Sequence, residues 1–220
     1  MNKRVFTVFA VAAALSPLAI FVVRAQSKPT TATVISKEEI DAVSKAEQDK
    51  PTLDMNIKIV SLGYENYDIG IIHRGSTHTP PNGGGGAARG NQPPADPCGR
   101  HMDTLPPGGV RGGLVHNFQT EGYYIVSGAG TMILDGYIAN GRHSEAVQNG
   151  WGCGGTAYDV RKVAVKPGDI VIVPPGVVHG WADIPDHVDY LSFRPTEHEA
   201  GEKPELQAGW VNPIIQNMKP

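Results

Sequence analysis

Between Leu114 and Phe193 the chain is repeatedly interrupted by turn signals. Runs rich in apolar, β-branched and aromatic residues lie at Leu114–Phe118, Tyr123–Ser127, Thr131–Leu134, Tyr137–Ala139, Val160–Val165, Asp169–Val173 and Val188–Phe193. Turns separate them at Gly128-Ala-Gly130, Asp135-Gly136, Asn140-Gly141, Lys166-Pro-Gly-Asp169 and Pro174-Pro-Gly176. Many short strands joined by Gly/Pro turns predict an all-β sandwich or barrel. Two more strands are expected upstream, one around Ile57 and Ile59 and one over Tyr67–Arg74 that ends in His73.

A single helix is expected outside this pattern. Ser36-Lys-Glu-Glu39 forms a capping box, and Ile35 with Ile40 supplies a hydrophobic staple. The helix should run from Lys37 to Gln48 and stop before Pro51. Its thin apolar face (Ile40, Val43) places it on the outside of the domain or against a second subunit. Two stretches read as loops: Gly/Pro-rich residues 78–113, and a Gly-rich insert from Arg142 to Tyr158. Arg89, Arg100 and Arg111 lie in the first. They read as solvated loop charges or as contacts for an anionic substrate.

Lys3, Arg4 and the apolar run Phe6–Val23, followed by Val23-Arg-Ala25, form a secretory signal peptide over residues 1–25. An uncleaved membrane anchor is the alternative. Cleavage removes three positive charges and no acid, taking the formal net charge from −3 to −6. A mildly acidic mature chain has no electrostatic footprint for nucleic acid. After cleavage no membrane span is expected, and the location is periplasmic or secreted. Cys98 and Cys153 are the cysteines. Export makes them oxidisable, so one disulfide is expected rather than two free thiols. Residues 26–54 read as leader and helix, 55–195 as the barrel, and 196–220 as a C-terminal arm.

The side chains with metal chemistry fall beside predicted strands. His116 and Glu121 precede one apolar run, and His179 follows the strand and turn Gly168–Gly176. Two imidazoles and a carboxylate can bind a divalent transition metal, and Fe, Mn, Cu, Ni and Zn all suit such a set. His73 reads equally as an interior site residue and as a hydrogen-bonded structural histidine. Tyr123, Tyr124, Trp151 and Trp181 read first as core. Trp181, two residues past His179, can also line the mouth, and Trp151 can close over it. No GxxxxGK[ST], GxSxG or strand-linked GxGxxG occurs, so nucleotide-binding and serine-hydrolase chemistry has no support.

At these residues the chain resembles the cupin superfamily over about residues 110–195. The second cupin motif, G(X)5PXG(X)2H(X)3N, is matched by Gly168, Pro174, Gly176 and His179, with Asp183 at the final position. The first, G(X)5HXH(X)3–4E(X)6G, is matched by His116, Glu121 and Gly128, but Leu114 stands at its first histidine. More narrowly, the pattern is similar to exported bacterial cupins with an H-x-x-x-x-E first motif and an upstream His-Arg, here His73-Arg74. The resemblance implies a cupin-type double-stranded β-helix barrel, or jelly roll. It makes His116, Glu121 and His179 metal ligands. Leu114 cannot coordinate. Either an extra position stays open, or His73, His78 or Gln119 substitutes, or the metal has been lost.

Two functions follow as expectations. One is an exported metalloenzyme, an oxygenase or oxidase acting on a small organic acid, phenol or sugar, with isomerase or lyase chemistry next. In it His73 or Asp183 would be the general base, and Trp181, Trp151, Tyr123 and Arg74 would contact substrate. The other is a non-catalytic cup for a small molecule or glycan. A homodimer formed through the helix and the C-terminal arm is compatible with both.

Overall fold

The computed structural model describes residues 30–46, 52–63, 65–78, 97–146, 150–196 and 209–218. The expected signal peptide and the loop carrying Arg89 lie outside them. Among the described residues one helix, α1 (Lys37–Lys45), precedes twelve strands. These are β1 (Thr52–Ser61), β2 (Asn66–Gly75), β3 (Pro97–Cys98), β4 (Val110–His116), β5 (Glu121–Gly128) and β6 (Gly130–Leu134). They continue with β7 (Tyr137–Ala146), β8 (Gly150–Tyr158), β9 (Arg161–Val165), β10 (Ile170–Val173), β11 (His179–Asp183) and β12 (His187–Thr196).

The strands form a five-stranded sheet, β1-β2-β12-β5-β10, and a seven-stranded sheet, β3-β7-β8-β4-β11-β6-β9. Neighbours within each pair antiparallel. Non-consecutive strands meet in both, giving the double-stranded β-helix barrel that the motif resemblance implies. Strand alternation sends one set of side chains inward. Ile72, Tyr123, Ile125 and Tyr190 from one sheet meet Met132 and Leu134 from the other in the barrel core.

Both outer faces are partly covered. On the five-stranded sheet, α1 and residues 209–218 pack Val43 and Ile215 against Ile57 and Ile71. The capping box forms as expected, with Ser36 and Glu39 bonding each other's backbone N–H. The helix stops at Lys45, short of the expected Gln48. Its apolar stripe and that of the arm are thus used on their own sheet. The rest of that face carries Tyr124, Val126, Ile170 and Ile172, the last two each 70 % exposed.

On the seven-stranded sheet, Ile133, Ile138, Ala157 and Val178 are covered by a segment that includes Cys98 and Val110. That segment lies within the stretch expected to be loop. It is tied down by the Arg100 N–H to the Ile138 carbonyl (2.7 Å) and the Asn140 N–H to the Arg100 carbonyl (2.9 Å). Arg100, expected to be a solvated or substrate-binding charge, sits 3.6 Å over the Tyr137 ring.

The Gly-rich insert is also not a loop. Residues 142–146 extend β7, and β8 pairs with both β7 and β4. Glycine is needed because the strands approach closely. A Cβ at Gly141 would lie 2.6 Å from Ile138 Cγ2 and 2.8 Å from Cys153 Sγ, and one at Gly155 would lie 2.9 Å from Ile138 Cγ2. Cys98 and Cys153 form the expected disulfide, with Cα atoms 5.8 Å apart across 55 residues.

Closing so long a loop restricts the unfolded chain, so the Cys98→Ser/Cys153→Ser variant should lose about 2–4 kcal/mol in chemical denaturation. An unchanged midpoint and slope would show that β8 is held by its ladder alone.

Candidate metal centre

Three buried side chains converge inside the barrel from the ends of three strands. His116 ends β4, Glu121 begins β5, and His179 begins β11. They are 4 %, 2 % and 4 % exposed. His116 Nε2 lies 3.4 Å from Glu121 Oε1, and His179 Nε2 lies 3.3 Å from Glu121 Oε2. The ligand atoms of all three fall within 4.8 Å of one another. Ligands at about 2.0–2.2 Å from one ion stand about 3.0–3.6 Å apart at ordinary tetrahedral or octahedral angles. The two separations, one to each carboxylate oxygen, fall in that range and fit a shared ion.

Local hydrogen bonds set the histidines' roles. His179 Nδ1 donates to the Val177 carbonyl at 3.2 Å. That tautomer leaves Nε2 with its lone pair, the arrangement a metal-bound imidazole needs. The His116 carbonyl accepts from the Gly176 N–H (2.8 Å), which ties β4 to the Pro174-Pro-Gly176 turn. His116 Nδ1 has no hydrogen-bond partner among the described residues, and its Nε2 has only the long contact to Glu121. A buried orphan imidazole is costly unless something binds it. The residues present thus fit a divalent transition metal held by two nitrogens and an oxygen.

Glu121 carries further partners that the sequence reading missed. Arg194 Nε donates to Oε1 at 3.1 Å, and the Tyr123 hydroxyl donates to Oε2. Each carboxylate oxygen has a second lone pair, so these bonds orient the group and leave acceptor capacity toward the histidines. Arg194 also makes paired bonds to Asp54 at 3.0 and 2.8 Å, and lies 3.7 Å from Asp68. Burial alone would raise the Glu121 carboxyl, but His116 and His179, when a proton on Nε2 faces it, together with the Arg194 charge, outweigh burial and hold it well below the usual carboxylate range. Asp68 behaves oppositely. Burial pushes it up to about 7 against the pull of Arg194, with the Asp54 charge adding to the rise. Alternation along β12 could have flagged Arg194, which shares a face with Tyr190 and Ser192.

The other expected site residues fall elsewhere. His179 pairs with Leu114, so a hydrocarbon does stand beside it. Gln119 is buried in the turn between β4 and β5, two residues before Glu121. Of the two readings of His73, the hydrogen-bonded structural histidine fits: it alternates with Ile72, a core residue, and so points outward. Its Nδ1 is 2.6 Å from Asp189 Oδ1, and Asp189 also accepts from Ser127. Asp183 bonds exposed His78 and lies four residues along β11 from His179, roughly 13 Å away. Neither His73, His78 nor Asp183 is gathered with the three candidate ligands. Arg74 reaches the Tyr190 hydroxyl at 3.5 Å on the inner face. Trp181 packs against the barrel core and Tyr190, with ring centroids 5.8 Å apart. Trp151 pairs with Glu145 next to Gly152, the register partner of His116, and its side chain lies outside the described residues.

No family model and no curated protein sequence matches the chain. Solved structures with similar folds exist. One is an uncharacterised Klebsiella pneumoniae protein with a double-stranded β-helix domain (11 % identity, TM-score 0.39, 77 % of this chain and 95 % of that one). Another is the EutQ protein of Clostridium difficile (10 %, 0.32, 78 % and 80 %). A third is a recombinant oxalate oxidase in complex with glycolate (9 %, 0.33, 71 % and 56 %). Likeness this distant carries nothing about activity, and the fold stands on the strand order given above. Among the described residues no helix is long and apolar enough to cross a membrane.

Replacing Arg194 by Leu leaves Glu121 and Asp54 buried without their cation, and should cost about 3–5 kcal/mol in denaturant unfolding. A loss under 1 kcal/mol would mean that the carboxylates are compensated by other groups. Asp68 gives a pH signature. Its folded pKa of about 7 is raised from 3.8, so its contribution is fully present below pH 3.8 and is lost as pH rises through 7. The stability of the wild type relative to Asp68→Asn should therefore fall between about pH 4 and 7. A difference that stays flat across that range would contradict the assignment.

Proposed function

We propose that this chain is an exported cupin whose His116, Glu121 and His179 hold one divalent transition metal, and that it is a metalloenzyme of oxygenase or oxidase type acting on a small organic molecule. The observation that carries the reading is the Glu121 carboxylate set between two buried imidazole Nε2 atoms at 3.3 and 3.4 Å. Two imidazoles and one carboxylate leave coordination positions open, the arrangement of non-haem iron oxygenases. When bound, such a metal supplies Lewis-acid or redox chemistry to a ligand at an open position. The chain's own residues prepare the site. Val177 fixes the His179 tautomer, Tyr123 and Arg194 orient Glu121, and the barrel walls exclude bulk water. The Cys98–Cys153 disulfide supports export to an oxidising compartment.

A second reading has its own support. Leu114 pairs with His179, where the cupin motif carries another histidine. A non-catalytic cup that binds a small molecule or glycan, with a structural metal or none, needs no such ligand.

Metal content of the mature protein, made in an oxidising compartment without a polyhistidine tag, tests the proposal. About one redox-active metal per chain is expected, lost in both His116→Ala and His179→Ala while circular dichroism stays unchanged. A protein that remains metal-free after incubation with Fe, Mn, Cu, Ni and Zn would end the metalloenzyme reading. A bound metal inert toward O2 would favour the cup.

A further inference from the structure

Three carboxylates surround one guanidinium on the inner face of the five-stranded sheet. Asp68 on β2 is in register with Arg194 on β12. Phe193, the residue before Arg194, is in register with Gly122 on β5, so the row continues from Arg194 to Glu121. Asp54 reaches the same cation from β1. Around Arg194, three acidic groups thus face one basic group in a region closed to bulk water. A second inner-face cation, Arg74, acts on Asp54, and its backbone lies six residues along β2 from Asp68, roughly 20 Å away. The two imidazoles, His116 and His179, lie on the far side of Glu121.

The guanidinium is not shared equally. Asp54 takes paired bonds and Glu121 takes the Nε donor at 3.1 Å. Asp68 Oδ2 is left at 3.7 Å from Nη1, outside hydrogen-bond reach, and Oδ1 has no partner among the described residues. A buried carboxylate so poorly compensated takes up a proton instead of standing as a charge. Burial is the main force that raises Asp68, and the charges of Asp54 and Glu121 add to it. Asp68 is therefore the group on which the excess negative charge of this face is relieved.

A divalent cation on Glu121 changes that balance. Asp68 and Glu121 stand two strands apart, about 10 Å. Two positive charges at that distance, through an effective dielectric of about 20, favour the ionised carboxylate about 100-fold. We propose that Asp68 is a proton-linked partner of the metal centre, holding a proton when the three ligands carry no cation and releasing it to solvent when a divalent cation is bound. Linkage makes the effect reciprocal, so the ionised Asp68 tightens the cation by the same factor. Asp68 is not gathered with the ligands and acts through Arg194 and through space, which makes it a positioning residue. The proposal rests on the reading of His116, Glu121 and His179 as metal ligands.

Zinc binding to the mature protein tests it, measured by chelator competition between about pH 5.5 and pH 8 on the wild type and on Asp68→Asn. Asparagine keeps the shape of the protonated carboxyl and cannot ionise. The wild type should bind zinc several-fold more tightly than the variant near pH 5.5, and about 100-fold more tightly near pH 8. Protonation of His116 and His179 weakens both proteins alike and drops out of the ratio. Calorimetry near pH 6, in buffers of different ionisation enthalpy, should show roughly one more proton released per zinc by the wild type. Carbon-detected NMR of the side-chain carboxyls needs no variant: in the wild type Asp68 should titrate about two pH units lower with zinc than without. A flat affinity ratio, an equal proton count or a titration midpoint unmoved by zinc overturns the inference and leaves the metal site standing. A wild type that binds no zinc at any of these pH values overturns the inference together with the ligand reading.

Discussion

The Glu121 carboxylate lies inside the barrel, 2 % exposed. A charge in that position is tolerated only when paired and hydrogen-bonded. Arg194 provides the pairing and itself requires Asp54 and Asp68, so the cost of one buried ion is spread over a network of four charged groups. The network ties β1, β2, β5 and β12 together on their inner face. Because Arg194 and Tyr123 each bond one oxygen, the carboxylate plane is fixed, and its remaining lone pairs face His116 and His179. The candidate ligand geometry is thus a consequence of how the sheet solves its own electrostatics.

The two sheets contribute differently. The five-stranded sheet supplies Glu121 and its charge compensation, while the seven-stranded sheet brings both histidines. His116 is held through β4, which pairs with β8 at Gly152, and Cys153 next to it carries the disulfide to β3. A covalent clamp therefore lies one residue from the register partner of a candidate ligand. Away from this end the barrel fills with Ile125, Met132, Val188 and other apolar side chains. The interior is divided into a polar, charge-paired part and a packed hydrocarbon core.

The strand pattern and the site trio were legible in the sequence because turn chemistry and histidine spacing are local signals. Thr131–Leu134 was expected and β6 begins one residue earlier, at Gly130. The β8 strand was not legible. Its sequence Gly150–Tyr158 holds four glycines and one β-branched residue, Thr156, and Gly155 answers to close packing against Ile138, which is a tertiary fact. Arg194 read as the boundary of the barrel because it precedes a proline and a charged tail. Its burial depends on Asp54, 140 residues earlier. His73 read equally as an interior residue and as a hydrogen-bonded structural one, because it ends an apolar run. The strand's alternation places Ile72 inward and His73 outward, and Asp189 from β12 then satisfies it.

The most direct measurement is anomalous diffraction from crystals of the mature protein grown with the metal it retains, with data collected on both sides of that metal's absorption edge. The account predicts one strong anomalous peak inside the barrel, about 2.0–2.2 Å from His116 Nε2, His179 Nε2 and a Glu121 oxygen. It also predicts that Arg194 and Tyr123 still bond the same carboxylate. A barrel with no interior peak, Glu121 held by Arg194 and the imidazoles alone, would contradict it. So would a peak at the outward cluster of His73, Asp189 and His187.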